Sequence, residues 1–276
     1  MGRSSNRVLE PMTETVDRDG FANRGELTPE PLEPRNRKIC LFTGASGTLG
    51  TTFCRLYRHR YQIAAVYRTT APEVPNQHSR FVDPLRPDEA VAENVDPVYA
   101  IRSDLTAPGE LARVVELTLA RFGRIDLLVN AAVHSVWAPI VESKALLASL
   151  ERQFQLNAMI PLRLAAELAS TFWRDRRDEN AALNRNIVNI SSIAGIYVYP
   201  DRGQSAYSAS KAALNNLTCH MASEFAAFGV RVNATAPDSF PRPVGIDRVA
   251  ESIVRLDEGA MSGKILVLTA DDERVL

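Results

Sequence analysis

Short apolar runs alternate with helical patterns along most of the chain, and this alternation restricts the fold more than any other feature. The runs cover residues 39–42, 62–67, 98–101, 125–129, 186–190, 231–234 and 264–268. The helical patterns cover residues 51–60, 109–122, 143–174, 205–228 and 249–256. Because the runs are mainly apolar, both faces of the strands are expected to be buried, as in a parallel sheet between two layers of helices. The order predicts a single-domain α/β fold with a doubly wound parallel sheet, the Rossmann fold.

Two segments fall outside this alternation. Residues 1–36 are polar, rich in charge, proline and glycine, and without a periodic apolar face, which predicts a disordered N-terminal arm. An ordered arm that embraces a partner subunit is the alternative. Residues 71–97 are rich in proline and are expected to form a long irregular insertion. The folded domain would then be residues 37–276.

The composition argues against several classes of protein. The formal net charge is −1, so no overall basic field would attract a nucleic acid or an acidic membrane. No apolar run approaches the roughly 20 residues that span a bilayer, and the N-terminus lacks the apolar core of a signal peptide. The three cysteines and four histidines lack the spacing of a disulfide framework or a zinc site. A cytoplasmic protein that acts on a small molecule fits this composition.

A glycine-rich turn, residues 43–50 with the sequence TGASGTLG, follows the first apolar run and opens the first helical pattern. Glycine lets the backbone approach a pyrophosphate closely, and the free N–H groups at the start of a helix can bind its charge. The position predicts a dinucleotide site, although a glycine turn can also be purely structural. The candidate contacts are Gly44, Ser46, Gly47, Thr48, Leu49 and Gly50.

The end of the second apolar run bears on the choice of cofactor. An acidic residue there would bind the ribose hydroxyl of NAD, whereas a basic residue accommodates the additional phosphate of NADP. The run ends at Tyr67-Arg68 and no acidic residue follows directly. The guanidinium of Arg68 can form a paired contact with a phosphate, so the sequence favours NADP over NAD. The alternative is that Arg68 is only a solvated strand end.

Tyr207 and Lys211 lie four residues apart in a helical pattern and therefore share one face. A free phenol titrates near pH ~10, and a nearby ammonium lowers that pKa. Such a pair can pass a proton to or from a carbonyl oxygen. The run at 186–190 ends in Ser191 and Ser192, at the kind of strand end where parallel-sheet enzymes bind ligands. Ser192 is therefore a candidate to hold the substrate oxygen against Tyr207.

Together these pieces resemble the short-chain dehydrogenase/reductase superfamily, in its short single-domain branch. The matching pieces, in the family's order across residues 38–268, are the turn at 43–50, Asp104-Leu105, the LVNAA segment at 128–132, Asn157, the strand end at 190–192, Tyr207 with Lys211, and the RVNATAP segment at 231–237. Jointly they are far more specific than any one of them. The resemblance implies that residues 37–276 are a dinucleotide-binding catalytic domain.

The resemblance also implies a role for individual residues. Tyr207 would be the general acid–base, and Lys211 would bind the nicotinamide ribose and lower the pKa of Tyr207. Ser192 would orient the carbonyl, and Asn157 would hold a water that relays protons to Lys211. Asp104 would bind the adenine, although it could also merely cap the segment that begins at Thr106. The further cofactor contacts would be Leu105, Asn130, Ala131, Ala132 and Pro237.

The sequence departs from the family pattern in three places that bear on the site. Thr48 stands where the short branch usually has its middle glycine. The segment between Ser192 and Tyr207 is slightly long and contains Tyr197 and Tyr199, which could line a pocket for a flat substrate or simply pack. The usual Pro-Gly is replaced by Pro237-Asp238, and residues 239–245 leave little room for a helical lid. A short lid predicts an open cleft for a bulky substrate.

The sequence therefore predicts an NADPH-dependent carbonyl reductase or alcohol dehydrogenase. The alternatives are a cofactor-binding protein with little turnover and, less favoured, a sugar-nucleotide epimerase. His134 and Trp137 follow the segment at 128–132 and could face the substrate. The resemblance also implies a homodimer or homotetramer, formed through the helices at 143–174 and 205–228.

Overall fold

The computed structural model describes residues 37–77, 97–141, 143–200 and 202–276. The predicted N-terminal arm, residues 1–36, lies outside the described residues. Most of the predicted insertion also lies outside them, because residues 78–96 are not described.

A central sheet of eight strands has the order β3-β2-β1-β4-β5-β6-β7-β8. The strands are β1 (Lys38–Thr43), β2 (Tyr61–Tyr67), β3 (Val98–Arg102), β4 (Leu127–Asn130), β5 (Asn186–Ile190), β6 (Arg231–Pro237), β7 (Ile265–Leu268) and β8 (Glu273–Val275). All neighbouring strands are parallel except β8, which pairs antiparallel with β7. The order reverses direction between β1 and β4, which confirms the predicted doubly wound sheet. Ligands of such sheets bind beyond the strand carboxyl ends at this reversal.

The helices connect these strands. They are α1 (Thr48–Tyr57), α2 (Glu110–Phe122), α3 (Lys144–Phe154), α4 (Ile160–Leu168), α5 (Arg177–Ala182), α6 (Ser205–Phe225) and α7 (Ile246–Glu258). The predicted helix 143–174 is interrupted by two π-helical turns, Gln155–Met159 and Ala169–Trp173. The sequence analysis missed α5 and β8, because each is too short for periodicity to register. Within the described ranges, no helix combines the length and apolarity needed to cross a bilayer.

The core consists of two main apolar layers, one on each face of the sheet. Leu41 and Phe42 are neighbours in β1 and are both fully buried, but they belong to different layers because successive strand side chains point to opposite faces. Phe42 packs with Phe53 of α1, with ring centroids 5.0 Å apart. Leu41 lies in the layer that contains Leu164 of α4. Burial on both faces explains why the strand sequences are mainly apolar.

Charged side chains are buried at the opposite edge of the sheet, where the strands begin. Asp126 precedes β4, is 1% exposed, and accepts hydrogen bonds from Ile39 N (2.9 Å) and Arg124 Nε (2.8 Å). Its second oxygen accepts from Arg185 Nε at 3.3 Å, and Arg185 is 0% exposed. Arg185 also donates to Asn180 Oδ1 at 2.6 Å. These bonds hold the starts of β1, β4 and β5 together, far from the strand ends where ligands bind.

We expect Asp126→Ala to lower the free energy of unfolding by about 3 kcal/mol, because it leaves the buried N–H of Ile39 without its acceptor and leaves the buried Arg185 with only the half-exposed Glu179 as a carboxylate partner. Urea denaturation measures this change. The matched control is Asp175→Ala, which breaks the 3.7 Å pair with Arg174 between side chains that are 82% and 67% exposed. That exposed pair is expected to contribute less than about 1 kcal/mol. Equal losses in the two variants would contradict the assignment of Asp126 as a structural anchor.

Candidate active site

The glycine turn between β1 and α1 is shaped by two close backbone approaches. Gly44 has φ +74°, and a Cβ there would lie 2.8 Å from Ala132 N. A Cβ on Gly50 would lie 2.5 Å from the Cα of Ala45. Gly47 is the N-cap of α1 and makes no side-chain capping bond, so the first turn of the helix is left without a protein cap. The turn is therefore compact, and its helix start is suited to an anion.

The hydroxyl of Thr43 joins the ends of β1 and β4. It accepts hydrogen bonds from Ala131 N (3.0 Å) and Ala132 N (3.2 Å), and it donates to Val129 O at 3.2 Å. Thr43 is 1% exposed. The two loops at the reversal of strand order are thus fixed to each other, and the groove between them has rigid walls.

A cavity of about 270 Å³ lies along this groove and contains many of the predicted cofactor contacts. Its lining includes Gly44, Ser46, Gly47, Arg68, Asp104, Leu105, Ala131, Ala132, His134 and Arg152. The other predicted contacts of the turn, Thr48, Leu49 and Gly50, do not line it, and Gly50 instead packs against Ala45. Asn130 does not line the cavity either. It lies beneath, where its Nδ2 donates to Asn189 Oδ1 at 2.9 Å.

Three arginines line an adjoining cavity of about 720 Å³. They are Arg68 after β2, Arg102 at the end of β3 and Arg152 on α3. Arg152 Nε is buried and has no partner among the described residues. His134 lies in the same lining, and burial together with Arg152 and Arg68 lowers its pKa. The three arginines share this lining with two carboxylates, Asp104 and Glu110, and Glu110 is paired with Arg113, so positive charge predominates at the end of the groove near Arg68.

Sequence reasoning identified Arg68 and missed the other two arginines. The position of Arg102 at a strand carboxyl end was a signal that could have found it. Arg152 carried no such signal, because it lies on a helix and reaches the cavity only through the packing of α3.

Asp104 serves as a local cap and also lines both cavities. Its Oδ1 accepts hydrogen bonds from Thr106 N (3.1 Å) and Thr106 Oγ1 (2.6 Å), and these bonds lower its pKa. The capping that the sequence suggested as an alternative is therefore present. It does not exclude a contact with a ligand, because the residue stays exposed to both cavities.

Tyr207 and Lys211 lie on α6 beside the end of β5. Lys211 is 3% exposed, and its Nζ donates to Ile190 O at 2.6 Å and lies 5.9 Å from the centroid of the Tyr207 ring. Tyr207 is hydrogen-bonded to the side chain of Ser192. A Cβ on Gly195 would lie 2.7 Å from the Lys211 carbonyl carbon, so the segment after Ser192 needs glycine to pack against α6.

Burial controls the ionisation of this pair. Burial raises the pKa of Tyr207, and the hydrogen bond with Ser192 lowers it in part. Burial alone lowers the pKa of Lys211 to about 7. The net shift of the Tyr207 pKa is upward, opposite to the lowering that the sequence predicted from Lys211. The physical reason is that desolvation disfavours the charged form of both groups.

Asn157 lies in the first π-helical turn and is buried, with 1% of its surface exposed. Its Nδ2 donates to His134 O (2.9 Å) and to Ser210 Oγ (3.0 Å), and its Oδ1 accepts from His134 N (2.9 Å). Ser210 directly precedes Lys211 in α6. Asn157 therefore connects the loop after β4 to the helix that carries Tyr207 and Lys211.

A third cavity, of about 420 Å³, opens beside Tyr207 and Ser192. Its lining also includes Trp137, Tyr199, Arg202, Gln204, Pro237, Asp238 and Phe240. The Trp137 and Tyr207 rings lie 6.1 Å apart. Of the two predicted tyrosines, Tyr199 lines this cavity and Tyr197 does not, since the Tyr197 ring lies under the guanidinium of Arg274 at 5.2 Å. Residues 238–245 form turns rather than a helical lid.

Comparisons with known proteins agree with this arrangement. The family model for short chain dehydrogenases matches residues 38–245. A 3-oxoacyl-[acyl-carrier-protein] reductase of Thermotoga maritima is 30% identical over 213 residues, which are 75% of this chain and 76% of that protein. A cis-4-hydroxycyclohexanecarboxylate dehydrogenase of Sinomonas cyclohexanicum is 30% identical over 208 residues, 75% of each chain.

A solved structure gives the same result at the level of the fold. An oxidoreductase of Brucella ovis in complex with a partially ordered NAD has a TM-score of 0.63 and is 28% identical, over 84% of this chain and 100% of that chain. The segment that the family model matches, residues 38–245, contains the glycine turn, Ser192, and the Tyr207–Lys211 pair. The chain therefore belongs to the short-chain dehydrogenase/reductase superfamily and is an NAD(P)-dependent oxidoreductase that interconverts C=O and CH–OH groups.

Proposed function

We propose that this protein is an NADPH-dependent carbonyl reductase, with Tyr207, Lys211, Ser192 and Asn157 as its catalytic group. The observation that carries the proposal is that Tyr207 and Ser192 both line the aromatic-lined cavity, while Lys211, four residues after Tyr207 on α6, is buried with its Nζ bonded to Ile190 O. That cavity suits a carbonyl compound, and the groove at the reversal of strand order suits the cofactor.

The groove fits a dinucleotide on structural grounds. Gly44 lets the turn pack directly against the backbone of Ala131 and Ala132, which shapes the groove, and the uncapped start of α1 offers N–H groups to a pyrophosphate. When bound, NADPH supplies the hydride for reduction. Asp104 and Leu105 would hold the adenine, while Lys211 and Pro237 would hold the nicotinamide half. Asn130 would support the floor of the groove through Asn189.

Three side-chain groups of the protein would take part in the reaction: the hydroxyl groups of Ser192 and Tyr207 and the amine of Lys211. The hydroxyl groups of Ser192 and Tyr207 would donate hydrogen bonds to the carbonyl oxygen, which polarises the carbon for attack. Tyr207 would then release its phenolic proton to that oxygen as negative charge develops there. Lys211 would stabilise the phenolate by its positive charge, and the Asn157 site would supply the returning proton.

The protonation state of Lys211 is the sensitive point of this proposal. A pKa of about 7 means that the neutral and charged amine coexist at neutral pH. The negative charge of a phosphate-bearing ligand in the groove would favour the ammonium and raise its pKa. The ammonium would in turn favour the phenolate of Tyr207. We therefore propose that the pair becomes competent when the groove is filled.

The arginine cluster supports NADP rather than NAD. Arg68, Arg102 and Arg152 border one cavity at the adenosine end, and Arg152 has a buried Nε without a described partner. Guanidinium groups bind phosphates through paired, charge-assisted hydrogen bonds. The Brucella relative was solved with NAD, so family membership leaves this choice open. The local charge is the argument for NADP.

The substrate proposal rests on the 420 Å³ cavity beside Tyr207. Its turn-built wall at 238–245 and its aromatic lining suit a bulky or cyclic ketone. The Thermotoga relative acts on a carrier-bound 3-oxoacyl group, and the Sinomonas relative acts on a cyclic hydroxy acid. The same wall also motivates a second candidate, a cofactor-binding protein with little turnover, because a lid would normally cover the nicotinamide.

We also propose a cytoplasmic homodimer or homotetramer with residues 37–276 as its catalytic domain. The support for assembly is the apolar surface of α3, where Leu147 is 65% exposed and Leu150 is 40% exposed. Removing such apolar surface from water favours association.

We expect Tyr207→Phe to lower kcat for ketone reduction by about 10²- to 10⁴-fold, the usual contribution of a general acid. NADPH binding should change little, since the ring is retained. The rate of NADPH oxidation gives kcat, and a fluorescence titration with NADPH gives the affinity for the cofactor. The control is Tyr197→Phe, which lies outside the cavity. An active Tyr207→Phe enzyme would sink the catalytic assignment, and tight NADPH binding without turnover by the unmodified protein would support the second candidate.

We expect Arg68→Gln and Arg152→Gln each to weaken NADPH binding by about tenfold or more, because each removes a charge-assisted contact of about 1.5 kcal/mol or more. NADH binding should stay nearly constant, since NADH lacks the additional phosphate. Isothermal titration with both cofactors measures the difference. Arg121→Gln is the control, because that guanidinium lies over Tyr99 and Phe122. Equal losses for NADPH and NADH would contradict the phosphate assignment.

We expect the stability of the cofactor-free protein to rise with pH above 7 because of Lys211. Its pKa in the folded state, about 7, lies below the ordinary 10.5, so the unfolded state binds more protons between these values. Below pH 7 both states are charged, and folding bears the cost of burying an ammonium. Lys211→Met removes this dependence.

Urea denaturation at pH 6 and pH 9 measures that dependence. The free energy of unfolding should rise more in the unmodified protein than in Lys211→Met, by up to about 1.4 kcal/mol for each pH unit above 7. Lys264→Met, which changes an exposed lysine, should behave like the unmodified protein. Parallel curves for Lys211→Met and the unmodified protein would show that Lys211 is not desolvated.

A further inference from the structure

The cavity beside Tyr207 has two charged side chains in its lining, Arg202 and Asp238. The guanidinium of Arg202 lies over the Tyr199 ring, 5.7 Å from its centroid. Among the described residues, Arg202 has no ion pair. Its charge is therefore available to a molecule in the cavity.

The backbone directly after Arg202 is held by a contact with a neighbouring loop. Gly203 O accepts a hydrogen bond from Ala138 N at 2.8 Å. Gly203 has φ +61°, and a Cβ there would lie 2.6 Å from the Ala138 carbonyl carbon. This contact ties the segment before α6 to the loop that carries Trp137. The backbone segments that carry Arg202 and Trp137 are therefore joined beside the cavity.

The rest of the lining includes an exposed aromatic ring, a buried amide oxygen and a carboxylate. Trp137 is 51% exposed, so its ring surface is open to a ligand. Gln204 Oε1 is buried and has no partner among the described residues, which leaves an acceptor unsatisfied. Asp238 accepts a hydrogen bond from Ser239 N at 2.6 Å and belongs to the segment after β6. An anion would be repelled by Asp238 and attracted by Arg202.

We propose that Arg202 selects carbonyl substrates that carry an anionic substituent, a carboxylate or a sulfonate, on a ring or chain that packs against Trp137 and Tyr199. The inference deepens the proposed reductase function and rests on it for the position of the reacting carbonyl at Tyr207 and Ser192. The guanidinium can form paired, charge-assisted hydrogen bonds with such a group. Asp238 in the same lining repels an anion, so the carboxylate or sulfonate is expected at the guanidinium of Arg202 rather than beside Asp238.

The first experiment compares two ketones that differ only in charge, 4-oxocyclohexanecarboxylate and its methyl ester. Initial rates of NADPH oxidation give kcat/KM for each. The unmodified enzyme should prefer the acid by about tenfold or more, the usual effect of a charge-assisted contact. Arg202→Gln should abolish this preference, mainly through KM, and Arg202→Lys should retain part of it. Asp238→Asn should increase the preference.

Arg274→Gln is the matched control, because Arg274 stacks on Tyr197, which lies outside the cavity, in the way that Arg202 stacks on Tyr199. It should leave the acid-to-ester ratio unchanged. An unmodified enzyme that treats acid and ester alike, or an Arg202→Gln enzyme that keeps the preference, would overturn the proposal. Either result would leave the reductase function intact.

A binding measurement separates failure of this proposal from failure of the proposed function. Cyclohexanecarboxylate and its neutral amide are titrated into the NADPH-loaded protein, and binding is followed by calorimetry. Selective binding of the carboxylate that Arg202→Gln removes would support the anion site even if no ketone is reduced, in which case only the reductase function fails. Equal or absent binding of both compounds would overturn the anion site.

Discussion

The hydrogen bond from Lys211 Nζ to the carbonyl of Ile190 is the interaction on which the site depends. It joins α6 to the end of β5 at 2.6 Å and places Tyr207 beside Ser192. The amine is buried to make this bond, and burial lowers its pKa to about 7. The same contact thus fixes the position of the pair and accounts for the lowered pKa of the amine.

The side-chain amide of Asn157 extends the contacts around Lys211. It holds the loop after β4 against α6 by its hydrogen bonds with His134 and Ser210. The π-helical turn Gln155–Met159 is where the helix departs from regular geometry, and Asn157 lies within it. Such turns frequently occur at functional sites. The buried amide of Asn157 makes all of these hydrogen bonds with protein groups. The geometry around Tyr207 is therefore fixed before a ligand binds.

The buried ion pair that stabilises the fold and the arginines that line the cavities lie at opposite ends of the strands. At the starts of the strands, Asp126 and Arg185 neutralise each other in the interior. At the carboxyl ends, Arg68 and Arg152 line one cavity and Arg202 lines another. The first group is saturated with protein partners, while the guanidinium groups at the carboxyl ends face open space. This difference is the physical basis for assigning ligands to the second edge only.

The sequence by itself determined the order of the longer strands and helices, the glycine turn, and the spacing of Tyr207 and Lys211, because these depend on local periodicity and spacing. It also predicted that Ser192 and Arg68 follow strands and lie at the same edge, since strand carboxyl ends meet at one edge of a parallel sheet. Only the tertiary structure brought Arg152 into the cofactor cavity and separated Tyr199 from Tyr197. It also decided the ionisation of Lys211. Burial and contacts between distant segments govern those features, and no pattern in the neighbouring residues encodes them.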